Sequence, residues 1–340
     1  MGLTGTEAPA RSALGLHAGD WVEVRSAAEV LATLDDRGRL DELPFMPEML
    51  QYCGRRFRVY KTAHKACDTI QSQHSRGMSN AVHLEGLRCD GASHGGCQAL
   101  CLLYWKEAWL QRVSGPAGSG DPGVEPPNRL NASPAIPERL QRATRRDTTP
   151  LEGAEVLYSC QATALRDATT AISPWDARHY VQDLTSRNVS FVNFVRFALL
   201  AGYNRVMRLH WRGRPYPHVR GRASKSTPAA DLNLMPGDLV QVRSKDEIMD
   251  TLNEHNRNRG LSFDVEMIPY CGRTFRVLSR VDRIIDEKTG RMMRMRSPCI
   301  ILENVTCGGY LSPNRMFCPR AIYPYWHEIW LKRAEPPSSP

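Results

Sequence analysis

A mainly β protein with some α-structure is expected from this sequence, built as two copies of a small barrel-like domain flanking a helical segment. Three observations predict it. A block of about a hundred residues, a normal domain size, occurs twice. Inside each copy the apolar residues recur mostly with a period of two, and between the copies the period lengthens to that of a helix. A chain of 340 residues has room for two or three such units with real cores.

The repeat is direct. Gly19-Asp20-Trp21-Val22-Glu23-Val24-Arg25-Ser26 returns as Gly237-Asp238-Leu239-Val240-Gln241-Val242-Arg243-Ser244. Tyr52-Cys53-Gly54-Arg55-x-Phe57-Arg58-Val59 returns as Tyr270-Cys271-Gly272-Arg273-x-Phe275-Arg276-Val277. The register passes through Phe45/Phe263, Glu48/Glu266 and Met49/Met267 and runs on to Cys89/Cys307, after which the second copy gains three residues. Cys97 then matches Cys318, and Tyr104-Trp105-x-Glu107-x-Trp109 matches Tyr325-Trp326-x-Glu328-x-Trp330. The copies span residues 15–113 and 232–334.

Within a copy, strands are expected over Trp21–Val24, Arg56–Tyr60 and Ala81–Glu85, the last matched by Cys299–Glu303. Ser26 with Glu29, and Ser244 with Glu247, have the spacing of a capping box that opens a short helix. Gly54 and Gly272 each precede a strand and suggest a tight turn or bulge. Trp105 and Trp109, with Trp326 and Trp330, are four apart and predict a closing helix anchored to its barrel by the indoles. Glu107 and Glu328 on that helix are expected to be solvated or ion-paired.

With its G-D-x-V-x-V opening strand and its Y-C-G-R-x-F-R-V strand entered through a glycine turn, each copy resembles SH3-like barrels over about fifty residues. The resemblance implies fold and not function, because such barrels host unrelated activities. Both copies are also similar in character to modules of uncharacterised bacterial proteins, which implies no activity. Between the copies, residues 114–150 form a Gly/Pro/Ser-rich linker. Residues 151–210 follow as a helical segment, with helices expected over Glu155–Ala171 and Asp176–Thr185. Trp175, beside Pro174, is placed to staple that junction. Phe191, Phe194, Val195, Ala198 and Leu199 recur at helical spacing up to a stop at Gly202.

The sharpest chemical signal is Cys89-x4-His94-x2-Cys97-x3-Cys101. Three thiols and an imidazole on a short loop match a tetrahedral zinc set, and Gly91, Gly95 and Gly96 supply the free φ that such a loop needs. If a helix begins near Cys97, then Cys97 and Cys101 share a face. In the second copy Arg315 replaces His94 and Ile322 replaces Cys101. Cys271, Cys299, Cys307 and Cys318 remain there as either a second metal set or small core residues, with Cys318 at a helix N-cap before Pro319. Zinc suits the mixed set better than an iron–sulfur cluster, which takes thiolates alone more often. Cys160 is a conceivable nucleophile with His179 or His210 as base.

Positive charge is unevenly placed. The chain carries 45 Lys+Arg against 36 Asp+Glu, a formal charge of +9. Arg205, Arg208, Arg212, Arg214, Arg220, Arg222 and Lys225 fall in one stretch without a carboxylate, overlapping a basic linker at 211–231. Interleaved with Trp211 and Tyr216, they form a candidate polyanion contact. No run approaches the ~18 apolar residues of a membrane span. No secretory signal is readable at the start, so cytoplasm is the default. Gly2 and Thr6 fit a short myristoylation pattern. Ten cysteines fall far below the ~8–10% of a disulfide scaffold.

Zincin, deaminase, P-loop, Rossmann and G-x-S-x-G patterns are all missing. The leading expectation is therefore a non-catalytic, zinc-stabilised binding or accessory protein whose partner, protein or nucleic acid, uses the groove between the barrels. A nucleic-acid-binding protein using the 203–225 stretch is one alternative. A metal- or thiol-dependent biosynthetic enzyme is the other.

Overall fold

The computed structural model describes residues 14–70, 74–116, 136–146, 155–173, 176–210, 213–223, 227–312 and 315–334. Gly2, Thr6, Pro174, Trp175, Trp211, Arg212, Lys225 and most of the 114–150 linker lie outside them. The chain is mainly β with several short helices and one long one.

In the first copy, β1 (Trp21–Val24) leads through the five-residue helix α1 (Ala27–Leu31) to a small hairpin of β2 (Arg39–Leu40) and β3 (Leu43–Pro44). β4 (Arg56–Thr62), β5 (Lys65–Cys67), β6 (Ser75–Gly77), β7 (Ala81–Arg88), β8 (Leu102–Lys106) and β9 (Leu110–Val113) follow. The main sheet is antiparallel in the order β8-β7-β4-β1-β9. α1 begins as expected, with the Ser26 hydroxyl accepting from Glu29 N–H and the Glu29 carboxylate accepting from Ser26 N–H at 3.1 Å. Val22, Val24, Val59, Val82 and Leu84 alternate inward along the strands, each at most 1% exposed. Burying one such side chain fully contributes roughly 1.5–3 kcal/mol.

The expected closing helix is not there. Tyr104 and Trp105 lie in β8, which pairs with β7 (Val82 opposite Trp105), and a single 3-10 turn, Glu107–Trp109, separates β8 from β9. Leu102-Leu103-Tyr104-Trp105 is a fully buried run of strand formers, in which a spacing of four fits either period. The turn resets the alternation, so both indoles reach the core, where Phe45 meets them edge-on at 6.2 and 5.2 Å. Glu107 is buried, and it accepts backbone N–H groups from Leu14, Gly15 and Leu16 at 2.5, 3.1 and 3.2 Å. It thus ties the start of the repeat to its end.

The middle segment is less helical at its start and more at its end than its periodicity predicts. It holds α2 (Glu138–Ala143), α3 (Gln161–Ala164), β10 (Thr170–Ala171), α4 (Arg178–Thr185) and α5 (Phe191–Leu209). Residues before Cys160 are extended, because Tyr158 bridges Arg145 and donates its N–H to Gly290 O at 2.8 Å. α5 starts at Ser190, whose hydroxyl caps Asn193 N–H, and continues through Gly202. Asn204, two residues past Gly202, holds the helix in place by bonding the Tyr216 backbone at 2.6 and 2.7 Å. That offsets the ~1 kcal/mol cost of a helical glycine. Phe194, Phe197 and Ala201 pack inward against Phe317 and Tyr310, whereas Phe191 and Leu199 stay about 70% exposed.

In the second copy β11 (Leu239–Val242) leads through α6 (Lys245–Met249), β12 (Arg257–Asn258) and β13 (Leu261–Ser262) to a long hairpin. The hairpin is β14 (Thr274–Ile285) and β15 (Met292–Leu302), and β16 (Trp326–His327) and β17 (Leu331–Arg333) close the sheet in the order β16-β15-β14-β11-β17. Strand for strand this matches the first sheet. Glu328 repeats the Glu107 device, accepting from Leu232, Asn233 and Leu234 N–H. No helix follows Pro319; the chain turns and runs extended into β16.

The end of the β14–β15 hairpin lies across the first copy. Gln98 accepts from Asp282 and Arg283 N–H through its side chain and donates its own N–H to Arg283 O. Arg88 donates to Ala321 O at 2.9 Å while its guanidinium sits 4.0 Å over Tyr323. Lys65 of β5 and Asp183 of α4, both fully buried, pair at 2.5 Å and join the first copy to the middle segment.

Candidate metal centre

The centre is assembled from two pieces of the first copy that are forty residues apart. The 3-10 turn Pro47–Tyr52, opened by Pro47 at its first position, turns Glu48 into the interior beside Met49. The loop after β7 then folds over it. Cys89 N–H donates to Cys101 O at 2.9 Å, and Gly91 O accepts from His94 and Gly96 N–H, both at 2.9 Å. Gly91 has φ +71°, and a Cβ there would lie 2.0 Å from Cys97 O, so the loop closes only around glycine.

This loop brings the Cys89 thiol to 3.0 Å from Glu48 Oε1 and His94 Nδ1 to 3.1 Å from the same oxygen. His94 Nε2 faces Ser159 O at 3.0 Å. One ligand atom from each of Glu48, Cys89 and His94 lies within 4.8 Å of the others. Tetrahedral zinc, with ligands at roughly 2.0–2.3 Å, puts its ligand atoms about 3.3–3.8 Å apart. The three groups therefore stand near metal-binding distance and can hold a metal ion.

Two buried atoms here lack hydrogen bonds among the described residues, Glu48 Oε2 and His94 Nδ1. Nδ1 is close to the carboxylate but off the line a hydrogen bond requires. Orphaned buried polar atoms are costly, and a cation between them would satisfy both. Burial pushes the Glu48 carboxyl up, but the close His94 ring and the Cys89 thiol outweigh it and hold it below its ordinary value. Burial first, and then the Glu48 charge, raise the Cys89 thiol far above its ordinary range. Without a cation this sulfur stays protonated; only a metal would draw it into the thiolate form.

Cys97 and Cys101 stand beside this group and not within it. They line a cavity of about 420 Å³ together with Cys89, His94 and Cys160, closed on its far side by Ile285, Met293 and Tyr325 of the second copy. Cys97 Sγ accepts from Ile285 N–H at 3.4 Å. They are not on one helical face, because residues 97–101 are loop. Burial raises Cys101 to about 12 and Cys160 to about 11. Cys160 has His94 in its cavity wall, whereas His179 packs on Tyr180 and His210 sits on the exposed end of α5. No Cys160–His base pair forms with either.

In the second copy Cys271, Cys299, Cys307 and Cys318 are not gathered into a comparable group among the described residues. Cys299 is core in β15 opposite His327, and Cys271 packs against the second core. Cys318 instead meets Cys67 of the first copy, whose N–H donates to Cys318 Sγ at 3.3 Å. The neighbouring Cys67 thiol, aided by Arg320, holds the Cys318 thiol below its ordinary value against the effect of burial. Glu266, the counterpart of Glu48, accepts from Tyr310, Leu311 and Ser312 N–H at 3.0, 2.7 and 2.8 Å. Arg315, the counterpart of His94, pairs with Asp264 at 2.5 Å. Backbone donors thus do in the second copy what Cys89 and His94 do in the first.

Glu48 was not among the candidate ligands read from the sequence. Its signal was there: a carboxylate kept in both copies inside the apolar stretch Phe45–Leu50. Of the basic stretch, Arg205 and Arg208 are exposed on α5, Arg214 and Arg220 are exposed in loop, and Arg222 is neutralised by Asp250 at 2.6 Å and Asp246 at 3.5 Å. No family model, curated protein or solved structure matches the chain.

Proposed function

We propose that this is a metal-stabilised, non-catalytic binding protein made of two SH3-like modules, with zinc held by Glu48, Cys89 and His94. The observation that carries it is the buried group itself, with Glu48 Oε2 and His94 Nδ1 left without hydrogen bonds. The fourth position falls to Cys97 or Cys101 in the adjoining wall, or to a ligand in the cavity. A mixed carboxylate, thiolate and imidazole set suits zinc. His94 also faces Ser159 O, so the ion would fasten the first copy to the segment that walls the cavity, and the hairpin of the second copy covers that cavity. The groove between the copies is then the ligand site.

A thiol enzyme is less well supported. In a nucleophile pair the thiol faces a base nitrogen, but Cys89 faces a carboxylate and is held protonated. The test is elemental analysis of purified protein. About one zinc per chain, absent from Cys89→Ser and His94→Ala variants that keep the far-ultraviolet circular dichroism of the parent, is expected. Zinc-free parent protein that also fails to take up added zinc would refute it.

A further inference from the structure

A second cavity, which meets the first at Ile70, Glu287 and Lys288, collects positive charge that is scattered in the sequence. It is a cleft of about 1070 Å³ between the β2–β3 hairpin, α2 and the residues after it, β6, the end of α3 and the tip of the β14–β15 hairpin. Eight arginines and one lysine line it, against Asp36, Asp167 and Glu287. Glu287 is already taken by Arg320 at 2.9 Å, and Arg37 and Arg39 share Glu42 at 2.7 and 3.2 Å. Among the described residues, Arg76, Arg139, Arg145, Arg146 and Lys288 make no ion pair. Arg166 lies 4.0 Å from Asp68, and its buried Nε has no hydrogen-bond partner.

Gathering like charges within about one Debye length of each other opposes folding, so a counter-charge is expected to stabilise the cleft. Three features narrow its chemistry. The cations come from five separate segments and surround a concavity, where a nucleotide phosphate would call for one cradle of backbone N–H groups. No aromatic side chain is among the lining residues, so nothing there stacks on a base. The volume lies at the upper limit of small-molecule sites, roughly 300–1,000 Å³. The geometry points to a single-stranded nucleic acid held by its phosphate backbone, without sequence preference. A flexible strand can lay successive phosphates against cations on several walls, whereas a rigid duplex presents a convex surface to a recess.

Fluorescence anisotropy of labelled U12 and dT12 with the full chain, titrated between 50 and 300 mM NaCl, tests this. Binding that weakens steeply with salt is expected. In the triple variant Arg145→Glu, Arg146→Glu, Lys288→Glu, affinity at 100 mM salt falls at least about tenfold, and the salt slope drops by about 2, at roughly 0.7 for each phosphate no longer neutralised. Arg205→Glu with Arg208→Glu on α5 leaves affinity within about twofold. Absence of binding at 50 mM salt, or full affinity in the triple variant, overturns the proposal. So does equal or tighter binding of inorganic polyphosphate at the same charge, which would make this a polyphosphate site, or of a duplex of the same length. Parent and variants are compared at equal zinc content, checked by elemental analysis, so the outcome is separate from that for the zinc centre.

Discussion

Replacing Glu48 by Gln keeps the shape of the side chain and removes the negative charge that Cys89 and His94 converge on at 3.0 and 3.1 Å. In the parent, zinc at 100 times its dissociation constant stabilises the fold by about 2.7 kcal/mol. At roughly 2 °C per kcal/mol for a chain this long, the melting temperature rises by about 5 °C. Loss of an anionic ligand weakens metal binding at least as much as loss of an outer-shell partner, about 10- to 100-fold. At the same zinc concentration the stabilisation then falls to about 0.4–1.4 kcal/mol, a rise of roughly 1–3 °C. The measurement is thermal unfolding by circular dichroism with and without zinc, comparing the zinc-dependent rise within each protein. That difference cancels whatever the weakened attraction to His94 costs the zinc-free variant. Glu266→Gln, whose carboxylate is bound by backbone donors, loses stability but keeps the full zinc response. A full response in Glu48→Gln, or none in the parent, would refute the ligand assignment.

Other outcomes follow from the same structure. Gly91→Ala places a methyl group against Cys97 O in a loop that needs positive φ, so zinc content should fall while the second copy stays folded, read by elemental analysis and proteolysis. His83 is fully buried, and burial pushes its pKa down to about 3, partly countered by its bond to Leu103 O. The unfolded chain therefore binds a proton near pH 6.5 that the fold rejects, and stability falls as pH drops from 6.5 towards 3 by up to about 1.4 kcal/mol per pH unit. His83→Asn should flatten that slope in urea titrations at pH 6, 5 and 4; an unchanged slope assigns the loss to other groups. Lys65→Met strands Asp183 and should cost about 3–5 kcal/mol, with much of it recovered by adding Asp183→Leu. Equal destabilisation in single and double variants would show that the charge pair is not the source.

The sequence alone determined what depends on near neighbours. The duplication, the Ser26 and Ser244 caps, the strands through Val22, Val59 and Val82 and the glycine-hinged loop after Cys89 follow from alternation, capping chemistry and backbone freedom over a few residues. Buried runs such as Leu102–Trp105 carry no polar alternation, so strand and helix could not be told apart until β7 paired with them. Only the tertiary structure decided which groups meet. It placed Glu48 against Cys89 and His94, sent Cys318 to Cys67 instead of to a second metal set, and drew basic residues from five segments into one cleft. The physical reason is shared: a ligand set or a charge cluster depends on distances between segments about forty to two hundred and fifty residues apart, which packing of the two copies sets and no local pattern encodes.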